Sequence, residues 1–328
     1  MQTRNQNDTT LTNKEKYRRL CNEKPIPLFM QAWWLDAVTM PEGKQWEVLL
    51  AEENGKIVAA MPYHLLRKWG FKIIIQPQLT QYTGVWIDYP QDCTLHKRYS
   101  FEKRAMDNLI DRLEALNPLF YAQNFYYSLT NWQPFYWRGF EQTTRYSYIL
   151  KNISDSNAVF ENMHPRYRQK IRKCEQELEL DFNLSPEEFY RFHKQSLQEK
   201  HDGIVYSKQL FLSIFQAAAE QGKGQIIAVR NKNNELLSAV FFVWDENSGY
   251  NLITVRKIIN GSNDASVFTI WQVVEYLKNR TKNYDFEGSM IEGVALRNQY
   301  LGAEQMPYFH ISKSYSKLFS LYKLFNRA

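Results

Sequence analysis

Cysteine is nearly missing from this chain. Cys21, Cys93 and Cys174 stand far apart with no Cys-x-x-Cys pair, which excludes a disulfide framework and a structural zinc site and fits a reducing, cytoplasmic setting. Histidine is as sparse. None of His64, His96, His164, His193, His201 and His310 has a partner at metal-ligating spacing, so no metal is expected. Only 13 glycines and 11 prolines occur in 328 residues, too few for a collagen-like or low-complexity chain. No stretch sustains the roughly 18 apolar residues of a transmembrane helix. Residues 1–24 read as a polar leader of mixed charge, without the apolar core of a secretory signal. A large excess of one charge is missing too: 41 Lys and Arg against 35 Asp and Glu leave +6, compatible with an anionic small ligand or RNA and demanding neither.

What is present is apolar and aromatic. Hydrophobic residues make up 44% and aromatics 15%, enough for compact cores, and the length predicts about two domains. Asn54-Gly55 between the apolar runs 46–53 and 56–66 predicts a hairpin, because that pair tolerates the positive φ angles of a tight turn. Strand-like runs follow at 71–75 and 85–87, then a helix at 100–116 with Phe101, Ala105, Leu109 and Leu113 at helical intervals. An apolar run at 123–129, a short turn at 135–140 and a strand at 142–150 complete the first half.

The second half opens with His164-Pro165 and a basic helix; Ser185-Pro186-Glu187-Glu188 then predicts a capping box, and 207–221 a helix closed by Gly222. From there the order of the first half returns: strands at 225–230, 236–244 and 250–255, a helix at 265–279, a strand at 284–286, a short helix and a strand at 308–313. Gly139-Phe140-Glu141-Gln142 and Gly302-Ala303-Glu304-Gln305 precede the last strand of each half, so the chain reads as a duplication. Hairpins alternating with helical crossovers predict mixed rather than doubly wound sheets, with a boundary near 151–157.

The run His164-Pro165-Arg166-Tyr167-Arg168-Gln169-Lys170-Ile171-Arg172-Lys173, the run Tyr284-Asp285-Phe286-Glu287-Gly288-Ser289 and the turn Gly302-Ala303-Glu304 resemble the Fem-type branch of the GNAT acyltransferase superfamily. Phe29-Met30-Gln31-Ala32-Trp33-Trp34-Leu35 and Gln81-Tyr82-Thr83-Gly84 extend the resemblance into the first half. It implies an α/β chain with mixed α+β sheets, in two tandem GNAT-like acyltransferase domains at 25–150 and 151–328. It also implies transfer of an acyl or aminoacyl group to an amine. The expected activity is N-acyl transfer from an acyl thioester such as acyl-CoA to a small molecule or a muropeptide-like cell-envelope precursor. Two other readings stand beside it: extension of a peptidoglycan stem peptide from aminoacyl-tRNA, and a GNAT-like scaffold that binds without catalysis. Fem-type members usually carry Phe-Lys before the Gly of the second half, the Lys stabilising the reacting carbonyl; this chain has Arg297-Asn298 there. The helical-hairpin arm of some tRNA-using members has no counterpart, and the turn 256–264 lacks the Gln/Arg-x-x-Gly-x-Gly/Ala of acyl-CoA loops.

Acyl transfer to an amine needs donors for a carbonyl oxygen, a base and an anion site for the carrier. Pro165 as a first helical residue places Arg166 and Arg168 in a helix's first turn, where cations are disfavoured unless a phosphate offsets them; with Arg172 they form the expected substrate-binding set. The alternative is a solvated face paired with Glu175, Glu177 and Glu179. Asp285 and Glu287 alternate around Phe286, which places both carboxylates on one strand face as the expected base and its support. Arg297 and Asn298 would supply the remaining polar contacts, with Ser289 beside them as a substrate contact. Asp285 as a turn cap and Glu287 paired with Arg297 is the structural alternative. Tyr82 is expected at the lip of a cleft, or else in the core. A phosphate cradle at 262–266 competes with an ordinary cap by Asn263 or Asp264. The segment 314–328 has Tyr315, Leu318, Phe319, Tyr322 and Phe325 on one face and is expected to pack on the core, the alternative being attachment to a partner or membrane surface.

Overall fold

The computed structural model describes residues 11–316 apart from 69, 200, 258–262 and 289. Ser289, Ser262 and most of the 314–328 segment therefore lie outside the described residues. The chain divides into two compact units, residues 1–144 with 308–328, and residues 145–307. Among the described residues no helix is long and apolar enough to cross a membrane.

In unit 1, α1 (Asn13–Glu23) and α2 (Ala32–Thr39) precede the hairpin β1 (Gln45–Glu53) and β2 (Lys56–Lys68). Asn54 and Gly55 turn between them with φ of 52° and 76°, the backbone that a two-residue hairpin turn requires. β3 (Phe71–Ile75), β4 (Trp86–Ile87), α3 (Leu95–Ala115), β5 (Phe120–Asn124), α4 (Gln133–Trp137) and β6 (Glu141–Leu150) follow. The expected leader is corrected in part: α1 carries a complete capping box between Thr12 and Glu15 and buries Tyr17 and Leu20 in a core with Trp46 and Leu35. Its polar composition hid a helix whose buried stripe is only two side chains wide.

Unit 2 contains α5 (Ser156–Asn162), α6 (Pro165–Glu177), β7 (Leu178–Asp181), α7 (Pro186–Gln198) and α8 (Lys208–Glu220). Then come β8 (Gly224–Asn231), β9 (Leu236–Trp244), β10 (Ser248–Arg256), α9 (Asp264–Leu277), β11 (Asn283–Asp285) and α10 (Glu292–Tyr300), followed by β12 (Glu304–Ser314), which from Tyr308 onward belongs to unit 1. The predicted capping box of α7 is half formed: Ser185 Oγ accepts the Glu188 N–H at 3.2 Å, while the Glu188 carboxylate accepts from Arg230 at 3.1 Å instead of reaching back. The core of unit 2 sets Ile227 and Val229 of β8 and Val240, Phe242 and Trp244 of β9 against the apolar face of α9, with Val267, Ile270, Val273, Val274 and Leu277 buried.

The two halves of the sequence repeat one element order, three antiparallel strands, a helix, a strand parallel to the third, a short helix and a long strand. β3 runs parallel to β5 as β10 runs parallel to β11. The two Gly-x-Glu-Gln turns occupy the same place, Gly139 and Gly302 having φ of 75° and 85° immediately before β6 and β12. The closing strands, however, are exchanged. β6 from the first half pairs antiparallel with β11, Leu150 opposite Tyr284, and β12 from the second half pairs antiparallel with β5, Ser314 opposite Phe120. A boundary drawn between residues 150 and 151 therefore gives way to one in which residues 145–150 belong with the second half and 308–314 with the first. Strand order alone cannot reveal such an exchange, because either closing strand satisfies either edge.

Ile311 of β12 is fully buried in the core of unit 1 among first-half residues such as Leu109 and Tyr121. Ile311→Ala should therefore cost about 2–5 kcal/mol, the usual range for a truncated core aliphatic. Urea unfolding measures this, and a loss below about 1 kcal/mol would show that the exchanged strand contributes little to that core.

Candidate active site

β11 is short, three residues, and ends where the chain turns sharply. Glu287 has φ of +61° and Gly288 φ of +73°, two successive left-handed residues that end strand alternation. A Cβ at Gly288 would stand 2.3 Å from the Tyr146 carbonyl oxygen. Only glycine lets this turn lie so close to β6. The expectation that Asp285 and Glu287 share one strand face is corrected here, since the strand stops between them.

The two carboxylates are nonetheless tied together with different roles. Asp285 is 1% exposed; its Oδ1 accepts the Ser147 hydroxyl and the Glu287 N–H at 2.8 Å, so it holds the turn in place. Glu287 Oε1 is buried and finds no hydrogen-bond partner among the described residues. Burial, and then the neighbouring Asp285, hold the Glu287 carboxyl well above the ordinary carboxylate range.

Arg297 and Asn298 come from α10. The guanidinium donates twice to Asn298 Oδ1, at 3.0 and 2.9 Å, and forms no ion pair with any described residue. Burial lowers its pKa, with the Arg256 cation adding to the effect. Glu287 and Arg297 do not form a salt bridge, so the structural alternative of a closed ion pair does not hold. Asn298 is fully buried, and its Nδ2 has no acceptor among the described residues. Tyr284 stands between these groups electrostatically: its phenol is influenced by Arg297 on one side and by Glu287 and Asp285 on the other, and burial raises its pKa. Tyr284 Oη is likewise buried without a partner. Sequence reasoning missed Tyr284 and Ser147. A tyrosine beside Asp285 on a buried strand was a signal for the first, whereas the second needed the register of strands 138 residues apart.

The arginine set on α6 separates. His164 caps the helix with Nδ1 accepting the Arg166 N–H at 3.2 Å, and Arg166 is exposed. Arg168 is ion-paired with Glu161, while the Arg172 guanidinium lies over the Phe160 ring at 5.5 Å. Arg168 already has its anion, and it is Glu161 rather than the expected Glu175, Glu177 or Glu179. At the start of α9, Asn263 occupies the cap position without a side-chain cap bond, and Asp264 pairs with Lys170 at 2.7 Å. Tyr82 belongs to unit 1 and is 3% exposed, its ring edge-on to Phe29 at 5.0 Å and tilted against Tyr126 at 4.4 Å. It is a core aromatic and not a cleft lip.

The two copies of the fold differ where the parallel strands end. In unit 1 the chain after β3 returns to fill that place: Thr83 bridges Phe125 in parallel, its N–H bonds to Asn124 O at 3.0 Å, and Gln123 donates to Thr83 Oγ1 at 2.8 Å. In unit 2 the pairing of β10 with β11 stops at Tyr250 and Asp285. Residues 251–256 of β10 have no strand on that side among the described residues.

Mixed sheets with repeated order and a parallel pair that parts at its end make a tandem GNAT-like fold. No family description and no curated protein matches the chain by sequence. Among solved structures it is similar to FemX, at 12% identity and a TM-score of 0.69 over 96% of this chain and 98% of that one. It is also similar to the C-terminal domain of a putative lysylphosphatidylglycerol synthetase from Agrobacterium fabrum, at 7% identity and 0.58 over 96% of both. A third is a tandem GNAT protein from the clavulanic acid biosynthesis pathway, at 10% identity and 0.53 over 94% of this chain and 95% of that one.

The raised Glu287 pKa has a definite sign in stability. Below the unfolded-state value of about 4.3, Glu287 is protonated in both states and contributes its full share. As pH rises from there through the folded-state pKa, the unfolded chain releases the proton more readily and that stability is lost. Glu287→Gln should match the wild type near pH 4 and become progressively more stable than it as pH rises, by denaturant melts across pH 4–8. Parallel pH profiles would show that the carboxyl titrates as an ordinary one.

Proposed function

We propose that the chain is an acyltransferase that joins an acyl group to an amine, with its reacting centre in unit 2 at the turn after β11. One observation carries the reading: Glu287 Oε1, Tyr284 Oη and Asn298 Nδ2 are buried polar atoms without partners among the described residues. Each such atom costs about 1–3 kcal/mol unless a ligand or water satisfies it, and they gather with an uncompensated Arg297 around one short strand.

Glu287, with a raised pKa and an open oxygen, is the acceptor for the proton that an ammonium substrate must release before its nitrogen can attack. Asp285 fixes the Glu287 backbone without competing for that proton. Asn298 Nδ2 and the Arg297 guanidinium are donors suited to a carbonyl oxygen as it gains negative charge. The edge of residues 251–256 that faces away from β9, where no strand lies among the described residues, suits an extended arm with amide groups of its own, which would add to the strand as another strand does. A carrier thioester such as acyl-CoA supplies the acyl carbon when bound, its C–S bond breaking as the C–N bond forms. The filled counterpart in unit 1 supports a single reacting centre.

A second reading keeps the site and takes the acyl group from aminoacyl-tRNA, with a muropeptide-like acceptor. The similarity to FemX over nearly the whole chain favours it, while Arg297-Asn298 in place of the family's Phe-Lys counts against it.

Thermal shift separates the donors. A carrier at about 100 times its dissociation constant should add about 2.7 kcal/mol of stability, first tested with acetyl-CoA and then with charged tRNA. With the donor found, free-thiol or free-tRNA release on adding amines gives the rate, and Glu287→Gln should lower turnover by roughly 10²–10⁴ with a modest change in acceptor KM. Full turnover in Glu287→Gln would remove the base assignment, and neither stabilisation nor transfer with either donor would remove the enzyme reading.

A further inference from the structure

In unit 1, the segment leading into α4 forms a cleft with α3. A cavity of about 580 Å³ opens there, lined among others by Tyr99 of α3 and by Thr130, Asn131, Trp132, Gln133 and Trp137. Tyr99 and Trp137 are each 56% exposed, a placement that leaves much apolar ring surface in water and that folding alone does not reward. The wall that carries them is firmly set. Phe135 is fully buried and meets Phe125 and Phe140 edge-on at 5.1 and 5.0 Å, while Trp132 meets Tyr136 at 5.5 Å.

Charge in this cleft is already cancelled. Lys103, 5.8 Å from the Trp137 ring, pairs with Asp107 at 2.5 Å. Glu102 accepts from Arg98 at 3.1 Å, from Tyr89 at 2.8 Å and from Asn131 at 2.7 Å. Apart from the Lys103 ammonium, which lines the cavity and is held by Asp107, the cavity offers a ligand neutral groups: the Thr130 hydroxyl, the Gln133 amide, the Tyr99 phenol and the indole N–H groups of Trp132 and Trp137. Flat apolar faces beside uncharged donors and acceptors match a molecule with an apolar face and a rim of hydroxyls.

The geometry points to a saccharide site, in which a pyranose ring lays its C–H face on Trp137 or Tyr99 and its hydroxyls bond to Gln133 and Thr130. A phosphate ligand would find no unpaired cation among these side chains. A bilayer surface would need a protruding apolar patch with free cations, whereas this surface is concave and its cations are paired. The site is separate from the groups around Glu287 and stands whether or not they transfer acyl groups.

The test uses the whole chain with chitotriose and maltotriose as probes, read by saturation-transfer NMR and calorimetry. Binding in the millimolar range or tighter is expected for at least one, weakened about tenfold or more by Trp137→Ala and by a smaller factor in Gln133→Ala, with melting temperatures unchanged. Tyr99→Ala serves if Trp137→Ala does not fold. Three results overturn the site: no binding of either saccharide up to about 20 mM, binding that the ring substitutions leave intact, or sedimentation with phosphatidylglycerol vesicles in the absence of saccharide binding.

Discussion

β11 has only three residues, and its place in unit 2 depends on β6 lying antiparallel beside it. That contact supplies more than a strand partner. The Phe286 N–H bonds to Tyr148 O at 2.9 Å, Ser147 donates to Asp285, and Gly288 rests against the Tyr146 carbonyl. The turn that presents Glu287 is thus held from below by a strand contributed by the other half of the sequence. The reciprocal pairing of β12 with β5 closes the sheet of unit 1 in the same way. Neither half of the sequence can complete its own sheet with its own last strand in this arrangement, so the duplicated halves are bound to fold as one chain.

Where the parallel strands part, the two copies of the fold differ. In unit 1, Thr83, Gln76 and Gln123 satisfy one another where the parallel strands part, with Thr83 donating to Gln76 Oε1 at 3.1 Å. Those three side chains are spent on the fold, although unit 1 also buries both ring nitrogens of His64 without a hydrogen-bond partner among the described residues. In unit 2, Tyr284 and Glu287 around β11 and Asn298 of α10 have buried atoms without partners among the described residues. A folded chain tolerates such a deficit at few places, because each orphaned group takes a sizeable share of a net stability of only about 5–15 kcal/mol. Unit 1 has surface of a different kind in its Trp137 cleft, where the cost is exposed ring area and not unmatched hydrogen bonds.

Much of this protein is written in local sequence. The Asn54-Gly55 turn, the strand at 236–244, the helix ended by Gly222, the Pro165 helix start and the repeated Gly-x-Glu-Gln turns follow from backbone preference and apolar spacing, which act within a few residues. The same locality made Asp285, Glu287, Arg297 and Asn298 legible as candidates, since they sit close together in the chain. Tertiary structure alone decided which closing strand joined which sheet, because both edges accept an antiparallel strand of similar length and the choice depends on contacts more than a hundred residues apart. It also decided that Asp285 holds the turn while Glu287 keeps a free oxygen, that Arg168 is matched to Glu161, and that Tyr82 is core. Those outcomes depend on burial and on hydrogen-bond partners brought from distant strands, and no periodicity in the sequence encodes which buried polar group will be left without one.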